Sequence, residues 1–385
     1  MPKNISNRGS SNDKSPQKTL KVRIKLFRKK IKKAVSSMKL PDSTAKNILA
    51  AVGVGGHSKR LCWSDTDVRK EASSCLWGLV QQHRKSGPKE RCYYFATFVD
   101  DSGNTSDRLP VIRMSTFFQK VNRAIRRLGL PGLVVGEIAP LMNFPQGGKG
   151  RTLMLHSHAL LWSDVPFDPV EAERQLNGNG SWHCEFGAQP VDIERIGRKK
   201  EDLERVIAYM FKPPHCAKNL RADKASDGRM KMVDTTEGYR PELALRMLEG
   251  LSQVDFFDVV YGVNHGTKLR QGLRERLREW HRQRASDGWI VAENFDFWAC
   301  WAELRREKGS KNYFPFRFIG GSPDAVPAKK PARNKVQGRR AKSVRRPVRP
   351  PAKRLAGFQK RHQDRIRRVG RVAGKVARSS TPVNI

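Results

Sequence analysis

The chain has 385 residues, 38% of them hydrophobic, a mean hydropathy of −0.64, and 76 Lys and Arg against 37 Asp and Glu for a formal net charge of +39. No run approaches the ~18 apolar residues that a membrane span needs, and the first residues lack the apolar core of a secretory signal, so neither a membrane protein nor a secreted one is expected. The six cysteines are dispersed without a CxxC pair. That pattern suits reduced thiols, most of them small core residues, and argues against a zinc finger or a disulfide framework.

At roughly 100–200 residues per domain the length allows two or three domains. Charge is concentrated at the two ends: residues 1–40 carry 13 Lys or Arg against one acid, Asp13, and residues 326–385 carry 20 against one, Asp364. The C-terminal stretch, rich in Pro, Arg and Lys and almost without apolar side chains, buries too little surface to offset chain entropy. Residues 321–385 are therefore expected to form a disordered basic tail, and the basic residues 1–40 are read as a largely disordered arm. Such segments neutralise phosphates and release counterions without reading sequence, which makes nucleic acid the expected partner and a solubility tail the bland alternative.

Between the ends the pattern reads as α+β, a central antiparallel sheet with flanking helices. Residues 41–90 form a helical lead-in whose main helix is capped by Ser64 or Asp65 and stopped at Lys85-Ser86-Gly87-Pro88. In 91–220, CYYFATFV (92–99) is a strand, and Ser115 caps a helix that presents Phe118, Val121, Ile125 and Leu128 and closes at Gly129. LVVGEI (133–138) and TLMLHSHALLW (152–162) are two more strands, and EDLERVIAYMF (201–211) is a helix halted by Pro213-Pro214. Residues 221–320 read as a mostly helical extension, with helices at LRQGLRERLREWHRQR (269–284) and WIVAENFDFWACWAELRREKG (289–309).

Three signals carry chemistry. His156 and His158 lie two apart on a strand, so both imidazoles project from one face about 7 Å apart and can converge on a cation, or else pair structurally in the core. Glu137 ends an apolar strand, where an unpaired acid would be costly; it is the natural third ligand for a hard divalent ion, or simply sits at a wet strand end. Tyr209 falls off the Leu203/Val206/Ile207/Met210 stripe of its helix, with Arg205 four residues before it and Lys212 three after. A phenol flanked by two cations is disposed to meet a phosphate, although packing a ring at the helix rim is the ordinary use of such a residue.

Taken in order, YYFATFV (93–99), LHSHALLW (155–162) and Tyr209-Met210-Phe211-Lys212 resemble the three motifs of the HUH-endonuclease superfamily. More narrowly they are similar to those of rolling-circle replication initiators (Rep proteins) of plasmids, single-stranded DNA phages and small DNA viruses, over about a third of the chain. The resemblance implies an HUH/RRM-like nuclease domain over 91–220, with His156, His158 and Glu137 holding Mg²⁺ or Mn²⁺. It implies a single catalytic tyrosine, Tyr209, that nicks single-stranded origin DNA, stays joined to the 5′-phosphate and frees a 3′-hydroxyl primer. Lys212 would assist the phenolate, while Arg205, Lys149 and Arg151 would bind DNA. No GxxxxGK[ST] run occurs, so a separate helicase and polymerase are the expected partners, in a bacterial cytoplasm. Two alternatives stay open: a non-catalytic basic DNA-binding or packaging protein, and an HUH transposase or relaxase.

Overall fold

The computed structural model describes residues 16–108, 110–145, 151–185, 189–222, 230–235, 240–287, 291–292 and 316–320. Helices come first: α1 (Pro16–Ser37), α2 (Asp42–Ala50) and α3 (Thr66–Lys85), with the two-residue strand β1 (His57–Ser58) before α3. The central portion runs β2 (Cys92–Phe98), β3 (Asn104–Ser106), β4 (Val111–Ile112), α4 (Met114–Arg127), β5 (Gly132–Pro145), β6 (Arg151–Ser163), α5 (Pro169–Gly178), β7 (Val191–Arg195) and α6 (Lys200–Met210). After it follow β8 (Lys218–Ala222), β9 (Met230–Asp234), α7 (Pro241–Ser252), α8 (Phe256–Val259), β10 (Val260–Val263), α9 (Gly266–Ser286), β11 (Val291–Ala292) and β12 (Arg317–Phe318).

The sheet that matters has the order β7-β2-β6-β5-β8-β9, with β3 also pairing β6 and β10 also pairing β5. Its pairings are antiparallel except for a parallel contact of β5 with β8 at Leu141 and Lys218. The coarse expectation of an α+β fold, an antiparallel sheet flanked by helices, describes it. β5 and β6 are the longest strands and lie at the centre, buried on both faces by apolar residues such as Leu133, Val134, Leu155 and Leu160. On the Gly136 face the fit to α4 is close: a methyl group at Gly136 would come within 2.7 Å of the Phe118 ring. Neighbouring Glu137 therefore projects to the opposite face, where α6 packs on β6 and α1 and α3 pack on α6.

Several elements differ from their sequence reading. The arm expected to be disordered over 1–40 contains α1, whose Leu20, Ile24, Phe27, Ile31, Ala34 and Val35 form one buried stripe. Nine basic residues in this helix depress its average hydropathy and hide that stripe, but the long side chains extend outward while the stripe packs. At α3, Asp65 rather than Ser64 is the cap, accepting from the Asp67 and Val68 amides, while the Ser64 hydroxyl donates to Ala51. Ser115 does not cap α4; it lies inside the first turn and donates its hydroxyl to the Ile319 carbonyl.

The extension at 221–320 has the expected helix in α9, with Leu269, Leu273 and Leu277 buried, but it also returns two strands, β9 and β10, to the sheet. Of the proposed helix 289–309, only 291–292 is described, and it pairs as a strand with β1; the remainder and the tail 321–385 lie outside the described residues. Cys62 and Cys216 are buried, whereas Cys75, Cys92 and Cys184 are half-buried, and these five are free thiols. No helix among the described residues is long and apolar enough to cross a membrane.

Candidate metal centre

Strand register assembles the centre. Glu137 on β5 lies directly opposite His156 on β6, and His158, two residues on, lies between Val135 of β5 and Thr97 of β2. Because alternate residues share a face, one carboxylate and two imidazoles meet in the middle of the sheet, each 3% exposed or less. The Nε2 atoms of both histidines stand 3.2 Å from the same oxygen, Glu137 Oε2, and the two rings cross almost at right angles. Thr97 Oγ1 is 3.2 Å from His158 Nδ1, a bond that leaves Nε2 to face inward. This buried trio can hold a metal ion.

Its protonation state is suited to a cation. Burial alone would push Glu137 up, but Lys212 and then His156 hold it well below the usual carboxylate range. Burial lowers His156, and it takes His158 down to about 3, with Lys212 adding to the shift. At neutral pH the trio is thus one carboxylate and two neutral imidazoles, with no proton to expel before a metal binds. The donors already meet a positive charge: the buried Lys212 ammonium donates to Glu137 Oε2 and lies 3.4 Å from His158 Nε2. The imidazole and carboxylate donors fit a divalent ion that takes nitrogen and oxygen ligands, provided Lys212 shares the carboxylate or swings aside.

Tyr209 borders the same pocket. Its ring is 5.1 Å from that of His158 and meets Phe95 edge-on, while Phe95 stacks on His158 at 5.2 Å. The Lys212 ammonium is 3.9 Å from the Tyr209 ring centroid, so this one lysine touches both the carboxylate and the phenol. Burial would raise the phenol, but Lys212 and Lys218 bring it below its ordinary value. Lys218 on β8 is buried, is fixed by a 2.5 Å hydrogen bond to Asp234, and is held in its charged form by Tyr209, Glu137 and Asp234 against the effect of burial.

Five of the sequence-predicted residues thus come together: Glu137, His156, His158, Tyr209 and Lys212. Arg205 does not join them; it is exposed on α6 and faces Asp202 at 3.6 Å, an i,i+3 partner that competes for its charge. Lys149 and the Arg151 side chain lie outside the described residues.

Three cations escape sequence reasoning because their partners are remote along the chain. Arg69 of α3 donates to the Lys212 carbonyl at 3.0 Å and to that of Trp63 at 2.7 Å, pinning the backbone just past α6. Lys218 is the second. Arg23 of α1 is the third, its guanidinium 5.2 Å from the Tyr209 ring centroid. A second cluster of donors, His215, Cys216 and Asp234, lies after Pro213-Pro214 and at the end of β9.

Compared with family models, with curated proteins and with solved structures, the chain matches none.

Proposed function

We propose that this protein is a metal-dependent DNA-nicking and strand-joining enzyme with Tyr209 as nucleophile, serving as a rolling-circle replication initiator on single-stranded origin DNA. The observation that carries the reading is the shared position of Lys212, which touches both the carboxylate of a three-donor cation pocket and the ring of a phenol whose pKa is lowered. A packing tyrosine needs neither neighbour. The resemblance of the strand, HSH and Tyr-x-x-Lys motifs to Rep proteins supplies the substrate class.

Glu137, His156 and His158 would hold Mg²⁺ or Mn²⁺, and the ion when bound would draw charge from the non-bridging oxygens of the scissile phosphate. Tyr209 loses its proton to water at reduced cost, because Lys212 and Lys218 favour the phenolate. Its oxygen attacks phosphorus, the new O–P bond forms as the P–O3′ bond breaks, and the departing 3′-oxygen takes up a proton. Lys212 offsets charge on the phosphate, and Phe95 with His158 keeps the phenol ring oriented. Phosphodiester energy is conserved in the phosphotyrosine bond, so a later 3′-hydroxyl can reverse the attack without ATP.

The test uses a 3′-labelled randomised pool of single-stranded oligonucleotides with Mn²⁺, read as a covalent adduct on a denaturing gel. The wild-type chain is expected to form the adduct, and Tyr209→Phe to abolish it with DNA affinity changed less than about twofold. An undiminished adduct in Tyr209→Phe, or none from the wild-type chain, would overturn the reading and leave a basic DNA-binding protein.

A further inference from the structure

Helix α1 is seated beside the nucleophile. Leu20 and Ile24 form a buried cluster with Ala208, the residue immediately before Tyr209, and Arg23 stands over the Tyr209 ring. At 100° per residue, Arg23 and Lys30 share the shoulder of the helix on that side. Around the shoulder comes the outer face, with Lys18, Lys21, Lys25, Lys29, Lys32 and Lys33 exposed. Among them Val22 is 48% and Leu26 45% exposed, two apolar side chains left in water at the middle of a basic row. The helix contains no acid. Lys21 to Lys33 span about 18 Å at 1.5 Å per residue, long enough to follow several phosphates of one strand.

We infer that α1 is the platform on which the single DNA strand lies as it reaches Tyr209, its lysine row holding phosphates, Val22 and Leu26 touching bases, and Arg23 contacting a phosphate at the nucleophile. The inference rests on the proposed function for the identity of the strand, but its binding part stands apart from any chemistry. Charge complementarity selects the occupant: a dense row of ammonium groups without an acid suits a polyanion, and interspersed apolar contacts suit unpaired bases with their faces exposed. Continuity with Tyr209 fixes the direction, because the shoulder carrying Arg23 joins the lysine row to the phenol.

The experiment uses the full chain and fluorescence anisotropy with an oligothymidylate probe over a salt series. Replacing three phosphate contacts in K21Q/K25Q/K29Q should make the slope of log affinity against log salt shallower by about 2, since each contact to a single strand contributes about 0.7. The matched variant K268Q/R278Q/R282Q on exposed positions of α9 should leave that slope unchanged. Arg23→Gln should slow adduct formation on the randomised pool about 100- to 1,000-fold at saturating DNA, the cost of losing one charge-stabilising donor, and Arg23→Lys should restore part of the loss. Equal slopes for the α1 and α9 variants, or full-rate adduct formation by Arg23→Gln, would overturn the inference while leaving Tyr209 chemistry intact. Absence of any adduct from the wild-type chain, with the α1 slope still shallower, would sink the function and keep the platform.

Discussion

Two groups of donors among the described residues have metal-ligand composition, and their surroundings differ. Glu137, His156 and His158 stand on adjacent strands in fixed register at the centre of the sheet, buried, with Thr97 orienting one imidazole. His215, Cys216 and Asp234 join two sequence neighbours beyond a Pro-Pro stop to the exposed end of a strand. There Asp234 accepts a 2.5 Å hydrogen bond from Lys218, as Glu137 accepts a hydrogen bond from Lys212, and His215 Nδ1 is 3.2 Å from the Pro213 carbonyl. Burial, with Asp234 adding, pushes the Cys216 thiol up to about 12, so it is protonated at neutral pH. Ligand types alone do not define a cation site. Rigid backbone and deprotonated donors do, and the sheet centre has both.

Lys212→Met leaves Glu137 without its buried ammonium partner and is expected to cost about 3–5 kcal/mol in urea unfolding without metal. Added Mn²⁺ should return part of that loss, because an ion binding only the folded trio stabilises it. The same experiment on Cys216→Ser should change stability by no more than about 0.5–1 kcal/mol. A Lys212→Met protein as stable as wild type would show that the ammonium and carboxylate are not coupled.

His158 stays neutral in the fold to about 3 against 6.5 for an ordinary imidazole, so below 6.5 the unfolded chain takes a proton that the folded chain refuses. Stability should therefore begin to fall as pH drops through about 6.5, by up to about 1.4 kcal/mol per pH unit from this group. Glu137, held below its usual 4.5, adds a further loss only under more acidic conditions. Urea midpoints for wild type and His158→Phe over that range check it, and the variant should show the shallower decline.

The smallest effect concerns metal affinity above neutral pH. Binding at the sheet centre expels no ligand proton, so Mn²⁺ affinity should stay nearly flat from about pH 7 to pH 8.5. An ion at the Cys216 group would have to displace the thiol proton and would gain about tenfold per pH unit.

What was legible in the sequence was whatever local periodicity carries. The HSH spacing on an apolar strand, the acid ending LVVGE and the off-stripe tyrosine on α6 all depend on neighbours within a few residues, and the fold brings them together. α1 was illegible because its lysines outweigh its buried stripe in any average over composition. β10 was missed because VYGV is only four residues long and follows α8 directly. Arg69, Lys218 and Arg23 carry no local signal at all: Arg69 meets the Lys212 carbonyl across 143 positions, and only tertiary packing shows that contact.

We propose that the sheet centre, rather than the His215, Cys216 and Asp234 group after α6, would hold a divalent cation. Mn²⁺ titration followed by electron paramagnetic resonance tests it most directly. A bound ion is expected in the wild-type chain, with its loss in H156A/H158A and its retention in H215A/C216S. Undiminished binding in H156A/H158A, or loss confined to H215A/C216S, would contradict it.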